Sequence, residues 1–259
     1  MFLDCERVQY RKPQLLEVIC QLRFPAILSI GAKEPVEFQE LIRSEYPRYA
    51  RNIEKQPPKV LGQPGSMKLQ DQPDVVNYQF ISTDGKWKVN LTNSFLALAT
   101  PAYTGWETFA QKLDEVLVHF INVYRPAFFE RIGLRYINAI SRKDLELEDV
   151  PFSDLIQPGW LGLLAEEDVP ERSFARVQQE AELNLSGGCK LKLHCGPGMV
   201  KRNNVEDKEI KFILDNDLFI GGKIEMRESA AALNTVHIHA DRAFRGAITK
   251  TLHNAMEPL

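Results

Sequence analysis

The same run of predicted elements occurs in the middle of this chain and again in its last third, and this repeat limits the folds open to it. Each run has three strands followed by an amphipathic helix. The strands cover residues 75–83, 87–91 and 95–100 in the first run and residues 181–185, 190–195 and 209–220 in the second. The predicted hairpin turns are Asp84-Gly85 and Gly187-Gly188, dipeptides that favour tight turns.

The two helices of the repeat have clear apolar stripes. The first begins near Thr104, a good N-cap, and ends before Pro126. The second begins near Asn234 and continues to the C-terminus, because apolar residues recur at helical spacing for more than five turns. That period overrides the short alternation around His237 and His239, which would otherwise suggest a metal pair. His237 is therefore predicted to be buried and neutral, and His239 to point away from the stripe.

Duplicated units of this kind predict the fold class α+β, with two related halves. Each half is an antiparallel sheet meander, and the long amphipathic helices pack on one face. The predicted boundaries are residues 1–145 for the first half, 146–172 for an acidic connector with short helices, and 173–259 for the second half, all in one compact unit. Further predictions are a half-buried strand over residues 15–24 and an exposed, proline-rich loop over residues 52–74.

Composition excludes several classes of protein. With 259 residues and 44% apolar content, the chain can bury a core without a disulfide or a structural metal. A net charge of −3 argues against nonspecific nucleic-acid binding. Four cysteines without a CxxC pair, no secretory signal and no apolar run of ~18 residues predict a cytoplasmic protein with reduced thiols that is not inserted in a membrane.

Four segments resemble a known family. They are LLEVICQLRF at residues 15–24, EFQE at residues 37–40, RIGLRYIN at residues 131–138, and Phe244 with Ile248-Thr249. They are similar to a sporadically distributed bacterial family of uncharacterised proteins of about this length, over nearly the whole chain, and RIGLRYIN is the most specific element. Ala139 stands where the family pattern has a basic residue, and His237 falls where the family has a histidine at the start of its last helix. The resemblance implies the fold and a bacterial origin, and its patchy distribution is typical of mobile or defence loci.

Candidate metal ligands are few. Asp215 and Asp217 lie two residues apart in a predicted strand, so both carboxylates share one face and are candidates for Mg²⁺ or Ca²⁺. The alternative is an Asp-Asn-Asp turn or the solvent face of a strand. Strand alternation separates His194 from Cys195, which argues against a zinc site with Cys189. The sequence has no GxSxG and no phosphate-binding loop, so it predicts neither a catalytic residue nor a cofactor.

The collective signal is a basic sheet face. If the apolar alternates pack under the helices, the opposite face collects seven candidate ligand-binding residues: Arg23, Lys88, Arg131, Arg135, Lys190, Lys192 and His194. Gly133 leaves space between two arginines that are able to clamp a carboxylate or phosphate. The alternatives are interstrand salt bridges, for instance to Glu17 or Glu182, and an ordinary solvated face.

These observations predict a non-enzymatic binding or regulatory protein that recognises another macromolecule, most simply a protein partner, in a bacterial defence or mobile-element locus. A second hypothesis is a nucleic-acid or nucleotide binder that uses the basic sheet face. A third is a metal-dependent enzyme around Asp215 and Asp217. The sequence leaves homo-oligomerisation open.

Overall fold

The fold is known from a computed structural model, which describes residue 2 and residues 7–55, 59–61, 68–70, 74–202 and 205–259. The strands are β1 (Leu15–Arg23), β2 (Arg48–Glu54), β3 (Lys59–Leu61), β4 (Lys68–Gln70), β5 (Val75–Ile81), β6 (Lys88–Leu91), β7 (Phe95–Thr100), β8 (Phe129–Ile140), β9 (Gln179–Asn184), β10 (Cys189–Gly198), β11 (Lys201–Arg202), β12 (Val205–Glu206) and β13 (Lys211–Ile224). The α-helices are α1 (Leu28–Ala32), α2 (Val36–Ile42), α3 (Trp106–Tyr124), α4 (Phe152–Leu155), α5 (Pro158–Leu161), α6 (Ser229–Ala247) and α7 (Lys250–Ala255).

Nine strands form one antiparallel sheet in the order β2-β5-β6-β7-β1-β8-β13-β10-β9. This sheet and the helices confirm the α+β class. The central strands are β1 and β8, and each is flanked by the last strand of a meander, β7 on one side and β13 on the other. The pairs β3-β4 and β11-β12 form separate two-stranded ribbons.

Both predicted hairpins are present. The β5–β6 turn is closed by a hydrogen bond from Ser82 N to Trp87 O at 2.9 Å, and Gly85 has φ +72°. The β9–β10 turn has Gly187 and Gly188 at φ +66° and +71°, a backbone region that side chains disfavour. Local turn chemistry was therefore sufficient to place these two turns.

The core lies between one face of the sheet and the helices. In β1, alternate residues Val18, Cys20 and Leu22 are fully buried, as the predicted alternation requires. The α3 residue Phe120 packs on Phe24 with ring centroids 4.8 Å apart, and α6 packs across β8, β13 and β10. The other face of the sheet keeps its charged side chains open to solvent, with Arg135 45% exposed.

The helix ends differ from the predictions. The helix predicted to begin near Thr104 begins at Trp106, with Gly105 rather than Thr104 at the N-cap position. The last helix, α6, begins at Ser229, five residues earlier than Asn234, because the preceding turn at Met226–Glu228 carries its own capping box. It also ends at Ala247 instead of continuing to the C-terminus.

The end of α6 has a tertiary cause. Ile248 is extended and forms an isolated antiparallel bridge with Ile156, and Gln157 N donates to Ala247 O at 2.8 Å. Thr249 then caps α7 by accepting a hydrogen bond from Leu252 N. The connector thus holds Ile248 in an extended conformation between α6 and α7. The short helix predicted around Leu155 is α4, whose residues Phe152 and Leu155 are fully buried, and the one predicted around Leu163 is a 3-10 helix over Gly162–Ala165 that follows α5.

Two other expectations concern the predicted loop and the membrane. Of the loop predicted over residues 52–74, residues 52–54 belong to β2, and residues 59–61 and 68–70 form the β3–β4 ribbon. Residues 56–58, 62–67 and 71–73 lie outside the described residues. No helix in the described ranges is long and apolar enough to span a bilayer.

Candidate functional site

The strand register brings most of the predicted ligand-binding residues to one open face of the sheet. Arg131 is paired with Arg23, and Arg135 with Asp217, which in turn is paired with Lys192. Lys190 and His194 lie on the same face of β10. Lys88 shares the face too, but two strands, β7 and β1, separate it from Arg135.

Carboxylates share this face with the cations. Arg131 Nη2 donates to both carboxylate oxygens of Asp217 at 2.7 Å. Arg135 donates to Asp215 at 2.6 and 2.5 Å, and this pairing raises the pKa of the guanidinium, whereas its partial burial opposes the rise. The interstrand salt-bridge alternative is therefore present for both arginines. Its partners are Asp215 and Asp217, whereas the predicted Glu182 pairs with Lys190 at 3.4 Å.

Gly133 supports this arrangement. A Cβ at this position would lie 2.2 Å from Arg131 Nη1, so the glycine lets the guanidinium lie across the strand. The same guanidinium stacks on the ring of Phe219 at 4.3 Å. Arg131 is thus held flat against the sheet, between an aromatic ring and a carboxylate.

The open face is consequently close to neutral. The register also places Glu180 opposite His194 and Glu182 opposite Lys192. The predicted excess of positive charge omitted these glutamates and the two aspartates, because their pairing depends on strands that are distant in sequence. Asp215 and Asp217 are both occupied by guanidiniums. Among the described residues, no three His, Cys, Asp or Glu side chains are arranged to hold a metal ion.

A separate concave site lies on the helix side of the sheet. It has a volume of about 380 Å³ and is bounded by the N-terminal segment 7–15, residues 103–105, β8, β13, α6 and the C-terminal residues Met256 and Leu259. We call it the N-terminal pocket. Two wider clefts, of about 630 and 970 Å³, are lined by charged groups that already pair with one another, such as Lys211 with Asp207 and Arg142 with Glu171.

A chain of polar side chains runs along the wall of the N-terminal pocket. The hydroxyls of Tyr103 and Tyr136 are 3.4 Å apart, and Tyr136 Oη lies 3.2 Å from His237 Nδ1. His237 Nε2 is 3.6 Å from Asp241, one helical turn further along α6. His237 is buried, and its ring stacks on Trp106 with centroids 4.2 Å apart and planes 8° apart.

Burial shifts the pKa values of these polar side chains. Desolvation lowers the pKa of His237 to about 4, and the nearby Arg7 charge adds to this while Glu107 opposes it. Desolvation raises the pKa of Asp241 to about 6. The positive charge of Arg7 opposes this rise, and the negative charge of Glu107 adds to it. The pKa of Tyr136 is also raised well above its usual value by burial. His237 is thus neutral at pH 7, as predicted, and its Nδ1 contacts the Tyr136 hydroxyl.

Two asparagines lie on the pocket floor. Asn216 in β13 is 1% exposed, and its Oδ1 has no hydrogen-bond partner among the described residues. Asn138 in β8 is 5% exposed and also lines the pocket. Buried polar groups are nearly always paired, so the unpaired Oδ1 of Asn216 requires an explanation.

These two asparagines were not predicted as site residues, although the sequence carries a signal for them. Asn216 occupies a core-facing position of β13 between Leu214 and Leu218. Asn138 likewise occupies a core-facing position of β8, two residues before the buried Ile140. A polar residue at an apolar position of a strand is the feature to look for. The other histidine of α6 was also misplaced: His239 is buried, and its Nε2 lies 3.0 Å from Ser186 O in the β9–β10 turn.

Neither a family model nor a curated protein sequence matches this chain.

Proposed function

We propose that the protein is a non-enzymatic binding protein and that its ligand occupies the N-terminal pocket. The observation that carries this proposal is the unpaired Oδ1 of Asn216, a buried acceptor on the pocket floor. Leaving such a group unpaired costs about 1–3 kcal/mol. A ligand that donates to Asn216 would recover that cost on binding.

The rest of the pocket supports a binding role. Its walls are largely apolar, with Leu15, Ala240, Phe244 and Met256 around the floor. Small-molecule sites typically combine such walls with a few convergent polar groups. On the open sheet face, by contrast, Arg131 and Arg135 are already engaged in ion pairs.

The test is a thermal-shift screen of the full chain with nucleosides, nucleotides, small amides, short peptides and divalent metals. We expect at least one class to raise Tm, and Asn138→Leu to remove that rise. Asn234→Leu, which changes an exposed asparagine of α6 outside the pocket, is the matched control. A ligand that shifts the unmodified protein and Asn138→Leu equally would place its site elsewhere.

We propose recognition of another macromolecule as a second function, located on the open sheet face. It is favoured by the solvent exposure of Arg135, which pairs with Asp215 on a sheet face of alternating charge. Such a surface suits a protein partner with complementary charges better than a polyanion. The test is a pull-down from the native host with the unmodified protein and with Arg135→Ala. A partner captured equally by both would not use this face.

We also propose that the two halves are related, and that the second begins at β8 rather than at residue 173. The first half would then be β1, a connection, the meander β5-β6-β7 and α3, and the second β8, a connection, the meander β9-β10-β13 and α6. Both helices have 19 residues, and in each half the first strand pairs with the last strand of its meander. Superposition of the two sets of Cα positions tests the proposal, and a poor match would refute it.

Origin and location stay proposals of the same kind. We propose a bacterial, cytoplasmic protein from a defence or mobile-element locus, on the family resemblance of its four segments and on its cysteines. Cys20, Cys189 and Cys195 are buried free thiols, as expected in a reducing compartment. The genes next to this one in its native genome test the locus, and an unrelated housekeeping neighbourhood would contradict it.

A further inference from the structure

The floor of the N-terminal pocket specifies the chemistry of its ligand, provided that the pocket has the binding function proposed for it. Asn216 is paired with Tyr136 in the β13–β8 register, and Asn138 lies two residues further along β8, so the two amides are diagonal neighbours. Each carboxamide carries one acceptor oxygen and one donor nitrogen. The ligand must therefore present both a donor and an acceptor towards the floor.

The charges around the pocket point to a neutral ligand. Arg7 donates to Glu107 at 2.6 Å and lies 3.8 Å from Asp241, and Arg11 pairs with Glu257 at 3.4 Å. These three groups, Arg7, Arg11 and Asp241, are the charged side chains that line the pocket within the described ranges. A phosphate or carboxylate would have to displace one of these partners, so the pocket offers little to an anion.

The aromatic side chains point to a flat ligand. Tyr103 and Tyr136 meet edge to face with centroids 5.7 Å apart, and Tyr10 and Phe244 do so at 6.2 Å. Tyr10 is fixed by Arg245, whose Nη1 donates to its hydroxyl at 2.7 Å. Four rings thus line one small pocket, which suits a planar heterocycle that packs against their faces and edges.

We propose that the N-terminal pocket binds an adenine-type base, in which an exocyclic amino group lies next to a ring nitrogen acceptor. A single asparagine amide matches this edge with one accepted and one donated hydrogen bond, as it does for adenine in nucleic acids. The amino group supplies the donor that Asn216 Oδ1 lacks, and the ring meets the aromatic wall. Free adenosine, an adenine nucleotide and an unstacked adenine in a strand share this chemistry.

The experiment is isothermal titration of the full chain with adenosine, purine riboside, AMP and a short oligo(dA). Purine riboside lacks only the 6-amino group, so it should bind at least about tenfold more weakly than adenosine. AMP should bind no more tightly than adenosine, because the lining arginines are already paired. Tighter binding of oligo(dA) than of adenosine would identify a strand as the source of the base; equal or weaker binding would identify the free nucleoside.

The variants separate recognition from folding. Asn216→Leu should weaken adenosine binding at least about tenfold without lowering Tm, and Asn234→Leu should leave affinity unchanged. Absence of adenosine binding, equal affinity for purine riboside, or an unchanged affinity in Asn216→Leu would overturn the base assignment. If another neutral amide binds in a manner that depends on Asn216, the base assignment fails and the binding function stands. If no compound depends on Asn138 or Asn216, both proposals fail.

Discussion

At the level of single residues, His237 and Asp241 are one turn apart on α6 and have pKa values displaced in opposite directions. The pKa of His237 falls from 6.5 to about 4, so its contribution to stability is present above pH 6.5 and is lost as pH falls through about 4. The pKa of Asp241 rises from 3.8 to about 6, so its contribution is present below pH 3.8 and is lost as pH rises through about 6. The two dependences oppose each other between pH 4 and 6.

Single variants should expose each dependence. Relative to the unmodified protein, His237→Gln should gain stability as pH falls from 6.5 to 4, by roughly 3 kcal/mol from the shift in the histidine pKa. Asp241→Asn should gain stability as pH rises from 4 to 6, by less, because a third of the Asp241 side chain is exposed and water screens it. Urea denaturation at a series of pH values measures both differences. Differences of the same sign in the two variants would contradict the assignment.

Asn216 gives a second prediction at this scale. Asn216→Leu should raise the free energy of unfolding by about 1 kcal/mol in the absence of ligand, because it replaces an unpaired buried amide by an apolar side chain of similar volume. Asn90→Leu is the control, since the Asn90 amide accepts a hydrogen bond from Gln79 at 3.2 Å on the open face. Urea denaturation of both variants tests this. A less stable Asn216→Leu would mean that the amide has a structural partner.

At the level of elements, the strands and hairpins were predictable, and the helix ends were less so. The alternation of β1 and the glycine turns of both hairpins depend on neighbouring residues alone. The end of α6 at Ala247 depends on the bridge between Ile248 and Ile156, which are far apart in the chain. The spacing of apolar residues along a helix carries no information about such a long-range contact. The sequence therefore predicted a helix that continues to the C-terminus.

Helix α3 allows a matched test of the core. Phe120 is fully buried against Phe24 and Phe38, so Phe120→Ala should lower the free energy of unfolding by about 3–5 kcal/mol. Val118 lies on the same helix but is 47% exposed, so Val118→Ala should change the free energy of unfolding by no more than ~0.5 kcal/mol.

The apolar stripe of the last predicted helix predicts that Phe244 also belongs to the core. It is only partly buried and lines the N-terminal pocket, so truncating it should cost less than truncating Phe120.

At the level of the whole molecule, ion pairing makes the open sheet face nearly neutral. The unmodified protein should therefore not bind oligouridylate in a strongly salt-dependent way, because affinity for a polyanion scales with the phosphates neutralised. The double variant Asp215→Asn, Asp217→Asn should free Arg135 and Arg131 from their ion pairs. Its affinity for oligouridylate should be higher and should fall more steeply as the salt concentration rises. Filter binding at two salt concentrations measures both effects. Asp114→Asn, on the exposed side of α3, is the control, and strong binding by the unmodified protein would contradict this charge balance.

The sequence by itself determined the α+β class, most strands of the sheet though not β2, the two hairpins and the burial of His237. These features follow from periodicity and turn residues within a few positions of one another. The tertiary structure decided what the sheet face and the pocket contain. Arg131 contacts Asp217 across 86 positions of chain, and Asn138 and Asn216 are diagonal neighbours only because β8 and β13 pair in one register. Register is set by the packing of the whole core, and a shift of one residue would turn both asparagines to the other face.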